Sequence, residues 1–213
     1  KLRGILIPFW AYHGLARSDF SAKVGIYWYK TVTYVDHKGK VRTKQKRMTE
    51  WFSHQGTAIR PVEGHLASAS VGLPEADSND LEPFDLGRAE PFDARWVAGW
   101  EAEIPSIENS EGEQVLRQEV AQIEAARVEG ALLPGDLGDV VQLSTDVQVE
   151  RAEVVLLPVW VASWRHGDKV VRQMVNGQTG KVIGEIPNSP TKIAVAVVLW
   201  LIAGVGMYFW VSS

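Results

Sequence analysis

The nineteen residues from Ile193 to Val211 carry no charge and are rich in Val, Ile, Leu and Ala. As a helix, such a run is roughly 28 Å long at about 1.5 Å per residue, close to the hydrocarbon thickness of a bilayer. A breaker and a cation, Asn188 to Lys192, mark one border, and Tyr208, Phe209 and Trp210 mark the other. The expectation is one C-terminal transmembrane helix, with Lys192, Ile193, Trp200, Tyr208, Trp210 and Val211 as its anchor residues. Lys192, Lys181 and Arg172 precede the run and only Val211-Ser212-Ser213 follows it. By the positive-inside rule the preceding domain then lies on the cytoplasmic side of an inner membrane, in a single-pass arrangement.

The domain ahead of this run, residues 1–187, is long enough for a real core, and residues 188–192 read as a short linker. Lys1 to Gly14 shows no signal-peptide pattern. With no cysteine in the sequence, disulfides and thiolate metal sites are excluded. Charge is segregated. Residues 1–47 hold 11 Lys and Arg against 2 acids, whereas residues 48–155 hold 6 against 22. A fold that joins these parts sets a basic region beside an acidic one.

The sequence contains an echo: Ile7-Pro8-Phe9-Trp10-Ala11 returns as Leu157-Pro158-Val159-Trp160-Val161. Each copy leads toward hairpin-like sequence. Gly25 to Val35 is aromatic and β-branched, Asp36 to Gly39 turns the chain, and Lys40 to Arg47 returns. Lys169 to Val175 leads into Asn176-Gly177-Gln178-Thr179-Gly180, and Lys181 to Ile186 returns. Asn-Gly favours a hairpin because glycine, and less freely asparagine, tolerates positive φ. Asp146 to Trp164 reads as a strand or strand pair.

Between the copies lies an acidic insert, about residues 74–135. Leu81-Glu82-Pro83-Phe84-Asp85 and Ala89-Glu90-Pro91-Phe92-Asp93 repeat with a period of eight. Their prolines predict an ordered loop or short turns. Ser110 and Glu113 form a capping-box pattern that opens a helix to about Glu129, with Leu116, Val120, Ile123 and Arg127 on one face. The fold class expected is α+β: an antiparallel β-rich domain of two related β units with one or two inserted helices, plus the C-terminal transmembrane helix.

Lys38, Lys40, Arg42, Lys44 and Lys46 sit two apart, a spacing that puts all five on one face of a strand. Such a stripe suits lipid phosphates, nucleic acid or an acidic protein surface. The plainer reading is an edge strand guarded by lysines, or one neutralised by the acidic insert. Nucleic acid is disfavoured, because the chain is acidic overall and no nucleic-acid-binding motif is present. His13, His37, His54, His65 and His166 are scattered without metal-ligand spacing, so no metal and no cofactor is expected. No nucleophile elbow, phosphate loop or dinucleotide fingerprint appears, and no catalytic residue is assigned. Of the nine tryptophans, Trp28, Trp51, Trp96, Trp100, Trp160 and Trp164 are expected in the core or against a partner.

Leu156 to Trp160, Val175 to Val182 and Gly184 to Pro187 resemble an uncharacterised bacterial family of single-span membrane proteins. Ile7 to Trp10, Ala67 to Leu73, Glu82 to Asp85 and Ala98 to Trp100 extend the likeness over most of residues 5–190. Members of that family typically carry an N-terminal zinc ribbon, and this sequence has no cysteine to form one. The resemblance implies a membrane-attached scaffold and supplies no catalytic residues. The function expected is therefore a non-enzymatic accessory subunit that docks onto other membrane proteins of a larger complex. The alternative is a lipid- or ligand-binding module that uses residues 38–47 at the bilayer surface.

Overall fold

The computed structural model describes residues 2–95, 97–166 and 169–184. Three very long strands dominate it: β1 (Leu2–Val35), β2 (Val41–Ser68) and β4 (Leu137–His166). With the shorter β5 (Lys169–Asn176) and β6 (Val182–Gly184) they form a half-barrel sheet in the order β2-β1-β4-β5-β6. All of these neighbours are antiparallel, and a two-residue β3 (Glu101–Ala102) adds a short parallel pairing to β1 at Ile5 and Leu6. Two helices, α1 (Glu75–Leu81) and α2 (Asn109–Arg127), come from the acidic insert.

β1 passes between two cores on opposite faces of the sheet, which explains the uncharged, largely apolar run from Gly4 to Tyr12. Ile7, Phe9 and Ala11 face Leu73 and Leu81, in a cluster with Leu157, Val159, Val161 and Met174. Tyr12 and Ala16 face α2, packing with Leu116, Val120, Val62 and Val147. Alternation along a strand sends successive side chains to opposite faces, so the covered face changes at Ala11 and Tyr12 without any break in the strand. Just beyond, a Cβ on Gly14 would lie 2.0 Å from the Gln148 carbonyl oxygen. Glycine lets β4 approach closely there, where the register slips between His13 and Gly14.

Several expectations need correction. The α+β class with a spanning helix gives way to a mostly antiparallel β fold with two helices. The echo segments lie in one antiparallel sheet, Ile7 directly opposite Leu157, within strands far longer than short hairpin units would need. Period-2 pattern is local and does not fix how far a strand runs. Among the described residues no helix is long and apolar enough to cross a membrane. The longest, α2, carries Glu111, Glu113, Arg117, Glu119, Glu124 and Arg127. The membrane, single-pass and anchor reading thus finds no helix to carry it. The segment Ile193 to Val211, with Lys192, Trp200, Tyr208 and Trp210, lies outside the described residues.

Smaller corrections follow from packing. α2 starts one residue before Ser110, Glu108 holds the cap position, and no side-chain capping bond forms. Its buried face is Gly112, Leu116, Val120 and Glu124, while Ile123 is exposed. Trp28, Trp51, Trp100, Trp160 and Trp164 all keep substantial exposure, so none is a core residue, and Trp96 lies outside the described residues.

Candidate functional site

The hairpin of β1 and β2 outgrows the rest of the sheet. β4 accompanies β1 only as far as Gly25, opposite Leu137. From Ile26↔Glu50 to Val35↔Val41 the two strands pair with each other alone. This arm extends roughly 33 Å at about 3.3 Å per residue. Asp36 fixes its tip. Its carboxylate accepts the Lys38 and Lys40 backbone N–H groups at 2.9 and 3.0 Å and the Arg42 Nε at 2.7 Å. These donors hold the Asp36 carboxyl below the usual carboxylate range, and Gly39 takes the positive φ of 75° that closes the turn.

Cross-strand register sorts the arm into two faces, because directly opposed residues share one side. One face carries Trp28/Met48, Lys30/Lys46, Val32/Lys44 and Tyr34/Arg42. The other carries Tyr27/Thr49, Tyr29/Arg47, Thr31/Gln45 and Thr33/Thr43. Lys44 Nζ sits 5.1 Å from the Tyr34 ring centre, and Arg47 stacks 4.3 Å over Tyr27. Lys30 opposite Lys46 sets like charges face to face, an unfavourable pair in isolation. Of the five residues in the sequence stripe, Arg42, Lys44 and Lys46 lie on this strand face. Lys38 and Lys40 sit in the turn.

The acidic insert does not neutralise the arm. Four of its carboxylates are engaged on the body: Glu124 with Arg60, Glu119 with His65, Glu113 with Arg117, and Glu101 with Arg3. Asp136 reaches only the arm's base, accepting Tyr27 N–H at 2.7 Å. Among the described residues no carboxylate pairs with Lys30, Lys44 or Lys46.

Comparison with protein-family models, curated proteins and solved structures finds no match. The likeness stated from the sequence motifs therefore rests on those motifs alone.

The hairpin motif occupies a different place from the arm. Asn176 is fully buried at the end of β5, and its side chain makes four hydrogen bonds. Its Nδ2 donates to the Leu81 and Pro83 carbonyls at 2.9 and 3.0 Å. Its Oδ1 accepts from Gln178 and Thr179 N–H at 2.8 and 2.9 Å. Gln178 Oε1 accepts Asp85 N–H at 2.7 Å, and Lys181 Nζ donates to the Glu82 carbonyl at 2.8 Å. Gly177 brings its backbone against Pro158, whose carbonyl accepts its N–H at 2.8 Å, and Gly180 supplies a positive φ of 77°. The motif is a latch that ties the insert to the sheet.

Under α1 lies a group of carboxyls that the sequence did not single out. Burial, helped by the charges of Glu119 and Glu75 and opposed by Lys181, pushes the Glu82 carboxyl up to about 7. Burial also raises Glu75, whose Oε2 accepts the Ser68 N–H while Oε1 is buried without a partner. Tyr12 is pushed up to about 12 by burial and by Glu113 and Glu75, and its hydroxyl donates to the Asn109 carbonyl. Because the folded-state pKa of Glu82 lies above its unfolded value, its neutral form adds stability. That contribution is full below about pH 4.5 and is lost as pH rises through about 7. Glu82→Gln is therefore expected to gain melting temperature relative to the wild type as pH rises from 5 to about 7, and to hold that gain unchanged up to pH 8. A difference in melting temperature that is flat across this range would refute it.

His65 pairs with Glu119, His13 with Arg151 and Glu153, and His54 lies on Phe20. Among the described residues no three His, Asp or Glu side chains sit close enough to hold a metal ion. Lys30 lies outside the sequence stripe because that stripe runs along one strand. Only the register places Lys30 across from Lys46.

Proposed function

We propose that this chain is a non-enzymatic accessory subunit that docks onto a larger assembly through the arm formed by residues 26–50. The observation that carries this reading is the free-standing ribbon itself. A two-stranded hairpin is marginal in water, yet this one extends well past the sheet. It presents exposed Trp28, Tyr29 and Tyr34 beside Lys30, Lys44 and Lys46, which pair with no carboxylate among the described residues. Aromatic anchors ringed by charge are the composition of an interface, and the missing half is an acidic surface with apolar pockets. Carboxylates placed between Lys30, Lys44 and Lys46 would relieve the like-charge pairing, which favours an acidic protein surface as partner.

The test is affinity purification of the full chain beside a Lys30→Glu/Lys44→Glu/Lys46→Glu variant. These exposed positions lie beyond the body, so melting temperature should be unchanged. A stoichiometric partner is expected with the wild type, and its recovery should fall on the order of tenfold or more in the variant. Identical recovery in both proteins, or no partner with either, would sink the proposal. Flotation with anionic vesicles that is lost in the variant would instead favour the lipid-surface alternative.

A further inference from the structure

At the opposite end of the sheet the insert forms a strap. Phe84 packs on Phe9 on one face, with ring centres 5.5 Å apart. Trp100 meets Trp160 on the other face, at 5.4 Å. Gly4 pairs with Trp160 and Phe9 with Val155, so these contacts are on residues of opposite parity in both strands. The chain between them therefore crosses from face to face. It does so beside the β5–β6 turn, where Asp85 is held by Gln178.

A cleft of about 890 Å³ lies between strap and sheet, the size of a ligand pocket. It is lined by five consecutive residues of β4, Val154 to Pro158, and on the strap side by Phe92, Val97 and Trp100. Leu6 and Ala102 line it on the β1 side, and Asp85 and Gln178 line it beside the β5–β6 turn, so the cavity reaches across β4 to its outer edge. That edge is unpaired here: β5 stops at Asn176, opposite Val159, and among the described residues no other strand continues along it.

The backbone direction of this edge can be read from the latch. The Pro158 carbonyl points outward, because it accepts the Gly177 N–H. Polar groups of alternate residues in a strand point the same way, so Leu156 and Val154 also turn both N–H and C=O into the cleft. Leu157 and Val155 point theirs toward β1. The same edge farther back carries Asp139, Asp146, Glu150, Arg151 and Glu153, charges that discourage strand addition. Val154 to Pro158 carries none.

We propose that the β4 edge at Val154 to Leu156 takes an extended segment of a partner protein as an added strand beneath the strap. Main-chain pairing satisfies the outward groups of Val154 and Leu156, which an apolar small molecule would leave stranded. Alternate apolar side chains of the segment fill the cleft on either side of the edge. The polar lining holds Asp85, Glu90 and Glu103 against Arg88 alone, so the complementary segment carries a lysine or arginine beside its apolar residues. This site is separate from the arm and independent of the function proposed for it.

A library of short random peptides is selected on the immobilised full chain, and the enriched peptides are measured by fluorescence anisotropy. Alternating apolar residues with a flanking cation are expected. Leu156→Pro removes one outward N–H that pairs with no strand among the described residues, and Phe92→Asp puts a charge on the strap side at a residue that is 70% exposed. Each variant should weaken binding at least about tenfold, whereas Lys44→Glu on the arm should leave it unchanged. If Leu156→Pro does not fold, as circular dichroism would show, Phe92→Asp decides. Absence of enriched peptides, or affinities that both variants retain, overturns the proposal. Self-association abolished by Leu156→Pro also overturns it, giving the edge to a second copy of the chain.

Discussion

Asn176→Ala is expected to destabilise the protein by about 3–4 kcal/mol, because each buried group left without a partner costs roughly 1–3 kcal/mol. The substitution strands the Leu81 and Pro83 carbonyls and frees the Gln178 and Thr179 N–H groups that Oδ1 now holds. Asn176→Asp should be no better. It keeps the acceptor for the turn but sets a carboxylate against two carbonyl oxygens. Thr179→Ala removes only a 3.3 Å bond to the Lys181 N–H at an exposed position and should cost under about 1 kcal/mol. Chemical denaturation of the three variants measures the series. Hydrogen exchange should also rise across residues 82–90, since the latch holds that segment. Asn176→Ala within about 1 kcal/mol of the wild type would mean that the latch is incidental to stability.

Arg60→Ala is expected to cost about 2–3 kcal/mol, while Glu124→Leu should be close to neutral. Glu124 is the most buried charge on α2, its side chain only 1% exposed, with Arg60 Nε at 2.6 Å and Arg127 Nη1 at 3.1 Å. Removing Arg60 leaves a desolvated carboxylate with one partner. The cost stays below that of a fully buried pair because both arginine side chains are about a third exposed and Arg127 remains. Leucine at 124 instead continues the face formed by Leu116 and Val120, and the two guanidinium groups turn to solvent. Denaturation of both single variants and the double variant closes the cycle. A Glu124→Leu loss as large as that of Arg60→Ala would show that the ion pair itself, and not its desolvation, carries the stability.

Local chemistry was readable in the sequence. The turn at Asp36 to Gly39, the return at Asn176 to Gly180 and the helix after Asn109 each depend on neighbours in the chain: a positive-φ glycine, an asparagine side chain, an apolar stripe. The latch was visible only as a turn, because the Leu81 and Pro83 carbonyls it binds lie more than ninety residues away. The repeated Glu-Pro-Phe-Asp motif was equally visible and equally ambiguous. Phe84 is packed on Phe9, whereas Phe92 is 70% exposed on the strap.

The sequence by itself determined the alternation of the strands, their turns, the cationic character of residues 38–47 and the acidic character of the insert. Only the tertiary structure decided what those charges face. Sheet register, which is a long-range choice, sets Lys30 opposite Lys46 and carries the arm past the end of β4, out of reach of the acidic insert. Register also leaves Val154 to Leu156 at an edge that no strand pairs with among the described residues, under a strap. Strand pattern repeats every two residues and names a face, but which strand lies beside it is fixed by packing between distant segments. For the same reason the α+β class expected from local pattern gave way to a mostly antiparallel β fold of long strands with two helices in the described residues.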